Sequence, residues 1–256
     1  MRRVIFNQKG GVGKSTITCN LAAISAHQGL RTLVVDLDSQ GNSSSYLLGR
    51  EATPEGTLAD YFDQLLSFRL HQQPLTAFVH ETPFNGLHVM PASRQLDELQ
   101  GKLESRYKIY KLREALEELS DSYDAIYMDT PPALNFYTRS ALIAAERCLI
   151  PFDCDDFSRY ALYDLLEALM EIREDHNGAL AIEGIIVNQY NARANVLRQA
   201  VEELQGEGHP VLQPYIASSV KIKESHEKAV PLIQLAPRHK VTAQYLDLFE
   251  TLQRNQ

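Results

Sequence analysis

The sequence predicts an α/β protein: a mostly parallel, twisted β-sheet flanked by helices on both faces. Three observations predict it. Short, continuous apolar runs recur along the chain, as strands buried on both faces require. Amphipathic helical stretches alternate with them, so successive strands are joined by crossovers. A glycine-rich turn separates the first apolar run from the first helical stretch.

Taken in order, Arg3-Val4-Ile5-Phe6-Asn7 reads as a short buried strand. After the glycine turn, a helix is expected from about Lys14 to Gln28, ended by Gly29. Thr32-Leu33-Val34-Val35-Asp36 is the second strand; Gly86 to Pro91 and Ala125 to Asp129 are two more. Cys148 to Pro151 and Ile182 to Asn188 continue the series. Leu112, Ala115, Leu116 and Leu119 fall on one helical face, as do Leu162, Leu165, Leu166 and Leu169. A last helix aligns Val241, Tyr245, Leu248, Phe249 and Leu252. The stretch from about Arg50 to Pro83 is the least regular and is expected to be an insertion or a mobile cover. No repeat, low-complexity tract or linker interrupts the pattern, so residues 1–256 are expected to form a single domain.

Composition narrows the class. With 44% hydrophobic and 23% charged residues over 256 positions, the chain can bury one large core. No stretch approaches the roughly 18 consecutive apolar residues that cross a bilayer, and the run after Met1 is too short for an export signal. A cytoplasmic protein is expected. Cys19, Cys148 and Cys154 lack C-x-x-C spacing and read as reduced buried thiols. The histidines show no ligand spacing, so no zinc site is expected. The net charge of −8 opposes non-specific nucleic-acid binding. Its distribution is uneven: residues 186–240 carry seven Lys/Arg against five acids, so that segment is +2 and the remainder −10.

The chemistry is densest in Lys9-Gly10-Gly11-Val12-Gly13-Lys14-Ser15-Thr16, between an expected strand and an expected helix. That context turns a glycine-rich pattern into a phosphate site. Glycines let successive N–H groups point inward as an anion-binding nest, and the helix N-terminus adds its positive dipole end. Lys14 can reach β- and γ-phosphates, the Ser15 hydroxyl is placed to ligate Mg²⁺, and Thr16 can donate to the α-phosphate. The strict pattern G-x-x-x-x-G-K-[ST] is not met, because Gln8 stands where its first glycine belongs and Lys9 adds a second lysine. ATP and Mg²⁺ are the expected ligands.

The two-lysine loop resembles the deviant phosphate loop of the ParA/MinD family of ATPases. Val34-Val35-Asp36-Leu37-Asp38-Ser39-Gln40-Gly41-Asn42 resembles the family's D-x-D-P-Q-G-N segment, with Ser39 in place of the proline. Ala125-Ile126-Tyr127-Met128-Asp129-Thr130-Pro131-Pro132 resembles its strand ending in D-T-P-P. The likeness continues through Phe157 to Leu162 and from Val220 to Pro231. It implies a P-loop ATPase, closest to the ParA type, that dimerises on ATP and is reset by hydrolysis when a ParB-like or adaptor partner stimulates it.

The resemblance also implies roles. Lys9 reaches across a dimer interface to the partner's nucleotide, where a second ammonium stabilises charge developing during phosphoryl transfer. Asp38 orients the attacking water. Asp129 ends an apolar strand, where a lone carboxylate is costly and a magnesium ion is its natural partner. Asp36 either helps hold the magnesium shell or caps a helix. Asn188 contacts adenine in relatives, or is an ordinary strand-end residue; Ala217 replaces a proline that relatives often place beside the base. Arg193, Lys221 and Lys223 are the candidate contacts to DNA, bound without sequence preference on a thin basic surface, with nucleoid association implied. The last helix carries Asp247 and Glu250 and only Arg254 as a base, which argues against a membrane-binding helix. Two alternatives share the fold: a metabolic enzyme that activates a carboxylate with ATP, like dethiobiotin or cobyrinate amide-forming synthetases, and an electron-transfer ATPase resembling nitrogenase iron protein. Lys9 argues against the first, and the short Cys148–Cys154 spacing against the second.

Overall fold

The computed structural model describes residues 1–67, 72–153, 159–191 and 195–254; Cys154, Phe157 and Arg193 lie outside the described residues. Strand β1 (Arg2–Ile5) leads into α1 (Lys14–His27), then β2 (Thr32–Asp36), α2 (Asn42–Leu48) and α3 (Leu58–Leu66). Strands β3 (His80–Glu81) and β4 (Leu87–Met90) precede α4 (Gln95–Ser105) and α5 (Lys111–Glu118). Next come β5 (Ala125–Asp129), α6 (Phe136–Ala144), β6 (Arg147–Asp153), α7 (Arg159–Asp175) and β7 (Ala181–Asn188). The chain ends with α8 (Asn195–Gly206), β8 (Val211–Leu212), α9 (Val220–Lys228), α10 (Leu232–Leu235) and α11 (Lys240–Arg254).

The strands form one sheet in the order β3-β4-β2-β5-β1-β6-β7-β8. Among the described residues, every pairing is parallel except β3 with β4. Alternation along each strand divides its side chains between two cores. Val4, Val35, Met128 and Ile150 face a core closed by α3 to α8. Ile5, Val34, Tyr127 and Leu149 face one closed by α1, α2, α10 and α11. This is the expected architecture, helices on both faces of a mostly parallel sheet, and the expected apolar faces of α5, α7 and α11 point inward.

The stretch expected to be irregular contains a packed helix. In α3, Leu58, Ala59 and Phe62 are fully buried in the first core. Thr57 and Asp60 close a capping box at its start: the Thr57 hydroxyl accepts from Asp60 N–H, and Asp60 Oδ2 accepts from Thr57 N–H. The edge strands β3 and β8 were not anticipated, because two residues are too few for a periodicity to register. On β1, Arg3 is buried and held by two bonds, 2.7 and 2.9 Å, to the buried Glu183 carboxylate on β7.

Candidate functional site

The C-terminal ends of β1, β2 and β5, neighbours at the centre of the sheet, bring the sequence motifs together, as parallel sheets present their sites. Phe6 and Asn7 leave β1 and enter the glycine loop. Gly11 (φ +80°) and Gly13 (φ +92°) adopt the left-handed conformation that side chains disfavour. A Cβ at Gly13 would lie 2.3 Å from Asn188 Nδ2, so only glycine fits there. Gly10 is exposed beside Pro132.

Several bonds fix the curl of the loop. Asn7 Oδ1 accepts from Lys9 N–H at 2.9 Å, while Asn7 Nδ2 donates to Pro151 O at 2.7 Å. Asn188 Nδ2 donates to Val12 O at 2.9 Å. Lys14 Nζ turns back to donate to Lys9 O at 2.9 Å. Burial lowers the pKa of Lys14, while Asp129 and Asp38 push it the other way. Helix α1 starts at Lys14 without a side-chain cap, so its first-turn N–H groups and dipole face the loop. Ser15 and Thr16 are half-buried on that turn.

Asp36 and Asp129 end adjacent strands as register partners, and both are fully buried. Asp36 Oδ2 accepts from the N–H (2.8 Å) and the hydroxyl (2.7 Å) of Ser44, and Oδ1 accepts from Asp38 N–H at 3.2 Å. These contacts tie Asp36 to the first turn of α2, whose N-cap is Gly41, and leave both readings of Asp36 open. Asp129 Oδ2 accepts from Ser43 Oγ at 2.7 Å, whereas its Oδ1 is buried with no hydrogen-bond partner among the described residues. Burial raises the pKa of both carboxyls; Asp36 is pushed further by the Asp129 charge, while the Ser15 and Ser43 hydroxyls oppose the rise at Asp129. Asp38, 8% exposed, accepts Gln40 N–H on Oδ1 at 3.0 Å and Gly41 N–H on its carbonyl at 2.8 Å. Its charge favours the protonated form of Lys14.

A cleft of about 440 Å³ opens beside the loop, lined by Gly11, Gly13, Thr16, Asn188, Ser219 and Lys223 among others. Asn188 therefore does two things: it ties down the loop and lines the cleft. The two lysines read together from the sequence part company here. Lys221 Nζ donates to Glu224 at 2.6 Å, and Lys223 lines the cleft. Sequence reasoning missed Ser43, Ser44 and His226. His226 Nε2 lies 2.7 Å from Thr16 Oγ1 and its ring stacks on Tyr46 at 4.3 Å. The serine run after Gly41-Asn42 was a legible signal for the first two; His226, 210 residues from Thr16, offered none.

Known proteins are similar to this chain over most of its length. A family model described as an AAA domain matches residues 3–182. The chain is 34% identical over 252 residues to a protein named chromosome partitioning protein ParA from Myxococcus xanthus, covering 98% of this chain and 87% of that one. It is 32% identical over 253 residues to the sporulation initiation inhibitor protein Soj of Bacillus subtilis, covering 98% and 97%. Among solved structures, a cobyrinic acid a,c-diamide synthase from Mycobacterium smegmatis with bound ATP analogue and magnesium superposes with a TM-score of 0.84 at 24% identity, covering 99% and 94%. The septum site-determining protein MinD from Pyrococcus horikoshii, complexed with Mg-ADP, gives 0.77 at 24% identity, covering 97% and 94%. The solved structures establish a shared fold; the sequence relatives, together with the two-lysine loop, place this chain in the ParA/MinD family of P-loop ATPases.

Proposed function

We propose that this chain is a ParA-type switch ATPase that binds ATP with Mg²⁺, dimerises on it, and uses hydrolysis to reset. One observation carries the reading. A desolvated carboxylate oxygen without a donor is costly, and Asp129 Oδ1 is such an atom beside Ser15 at the foot of the glycine loop. A hard divalent cation with oxygen ligands fits that donor set. Ser15 and Asp129 would hold it, and when bound it neutralises charge on the β- and γ-phosphate oxygens.

The protein's own groups supply the rest. The N–H groups of Gly10 to Gly13 and the start of α1 cradle the phosphates, and Lys14 sets a positive charge against them. Lys9 reaches the nucleotide of a second copy, which ties hydrolysis to dimerisation. Asp38, held by Gln40 and Gly41, orients the attacking water. Asp36 fixes α2 and the turn before it, so the segment from Asp38 to Asn42 responds to what fills the loop. Asn188 and Lys223 take the base-and-ribose side of the cleft.

The relatives named for chromosome partitioning support a role in segregating DNA or positioning another cargo. The proposed place of action is the cytoplasm, on the nucleoid. Binding to DNA without sequence preference, with Arg193 and Lys221 among its contacts, and stimulation by a ParB-like or adaptor protein complete the reading. No described helix is long and apolar enough to cross a membrane. The test is ATP hydrolysis with and without duplex DNA, paired with sizing under saturating ATP. A protein that stays monomeric and hydrolyses nothing would sink the proposal.

A second reading has the fold neighbour named as a diamide synthase in its favour. A carboxylate-activating enzyme would turn over ATP only when supplied with an acid. Product analysis with candidate acids separates the two.

A further inference from the structure

We propose that His226 is a positioning residue of the nucleotide site: its Nε2–H donates to the Thr16 hydroxyl and turns that hydroxyl's proton toward a phosphate oxygen. The inference deepens the phosphate-loop reading and rests on it.

A threonine hydroxyl has one proton and two lone pairs. Thr16 Oγ1 lies 2.7 Å from His226 Nε2, so one of its bonding positions is committed to the ring. The tautomer decides which one. With the hydrogen on Nε2, Thr16 accepts from the ring and keeps its proton for an anion in the cleft that Thr16 itself lines. With the hydrogen on Nδ1, Thr16 spends its proton on the ring and has nothing to offer a phosphate. A phosphate in the loop therefore selects the first tautomer, and a ring already in place lowers the cost of orienting the hydroxyl.

The ring is held from several sides. Tyr46 stacks on it at an interplanar angle of 18°. The Tyr46 hydroxyl is bonded to Ser225 on α9 and accepts from Asn20 Nδ2 on α1. Ser225 Oγ is within 2.6 Å of Val230 O, and Asn20 Oδ1 accepts Leu232 N–H at 2.9 Å. Burial and the nearby Arg50 charge lower the pKa of His226, which favours the neutral ring with a single N–H. The imidazole thus meets Thr16 of α1 while stacked on Tyr46 of α2, which Ser225 of α9 and Asn20 of α1 hold in place.

Calorimetric titration of the full-length protein with Mg-ATP and Mg-ADP tests this, using Thr16→Val, His226→Phe, the double variant and His226→Gln. Phenylalanine keeps a flat ring against Tyr46 but loses the donor; glutamine keeps an N–H near the position of Nε2. Thr16→Val should weaken binding about ten-fold, as expected for a hydrogen bond to a charged group, and His226→Phe about three-fold, as expected for one between neutral groups. The loss should be equal for ATP and ADP, because the α-phosphate is common to both. The double variant should bind about as weakly as Thr16→Val alone, and His226→Gln should recover most of the affinity. A loss from His226→Phe that persists undiminished on top of Thr16→Val would overturn the proposal, leaving His226 as packing. So would a His226→Phe protein with wild-type affinity, or a loss confined to ATP. Wild-type protein that takes up neither nucleotide would instead bring down the phosphate-loop reading beneath it.

Discussion

Asp36 and Asp129 stand side by side as register partners on adjacent parallel strands, both wholly shielded from solvent. Burial raises the pKa of each, and the charge of Asp129 raises that of Asp36 further. A carboxyl whose folded value lies above its unfolded one resists ionisation in the fold. Its unfavourable contribution is absent below the ordinary carboxylate range, accumulates as pH rises from there to the raised value, and levels off above it. Metal-free protein should therefore lose stability between about pH 4 and 8, and Asp129→Asn should flatten that slope. The difference should be on the order of 1 kcal/mol, a few degrees in Tm. Melting curves in a chelator across this range check it; an unchanged slope in the variant would count against the pair as its source.

Lys14 closes the loop on itself and presents its charge to the site. Lys14→Ala should lower ATP affinity on the order of 100-fold, by loss of a buried charge from a phosphate. Asp38→Ala should leave binding within a few-fold but stall hydrolysis, so that an ATP-bound dimer accumulates on gel filtration. A variant that still turns over ATP at the wild-type rate would remove Asp38 from catalysis.

The Arg3–Glu183 pair lies far in sequence and deep in the fold. Glu183→Ala should destabilise by about 3 kcal/mol, because it leaves a buried guanidinium without its partner. Replacing both, Arg3→Met with Glu183→Leu, should cost much less. Chemical denaturation of the wild type and the two variants decides it: a double variant as unstable as Glu183→Ala would contradict the argument.

Ala229 ends α9 at φ +50°, a conformation a Cβ disfavours. Ala229→Gly should stabilise by about 0.5–1 kcal/mol, because relief of strain outweighs the added freedom of the unfolded chain. A lowered denaturation midpoint would refute this.

Lys223 faces the cleft, and Lys221 is engaged by Glu224. Lys223→Ala should weaken nucleotide binding several-fold at low salt, with a smaller effect as salt rises. Duplex DNA binding measured in parallel separates the two roles: a loss in DNA affinity alone would return Lys223 to a DNA surface.

Much of this was legible in the residues. Continuous apolar runs gave the parallel strands, because a strand covered on both faces has no polar side to show. The Lys9–Thr16 loop announced itself because left-handed backbone at Gly11 and Gly13 needs glycine, and phosphate binding needs the lysine and hydroxyls in fixed order. Helix α3 was obscured by the irregular sequence around it, although Thr57-x-x-Asp60 was a readable cap.

Local order in the chain thus determined the sheet, the glycine loop and the family, since each depends on neighbours a few residues apart. Only the tertiary structure decided that Asp36 anchors α2 through Ser44, that Asp129 keeps one oxygen without a donor, and that His226 meets Thr16. Those relations join side chains from separate strands and helices. Chain packing sets their distances, and no periodicity or spacing encodes them.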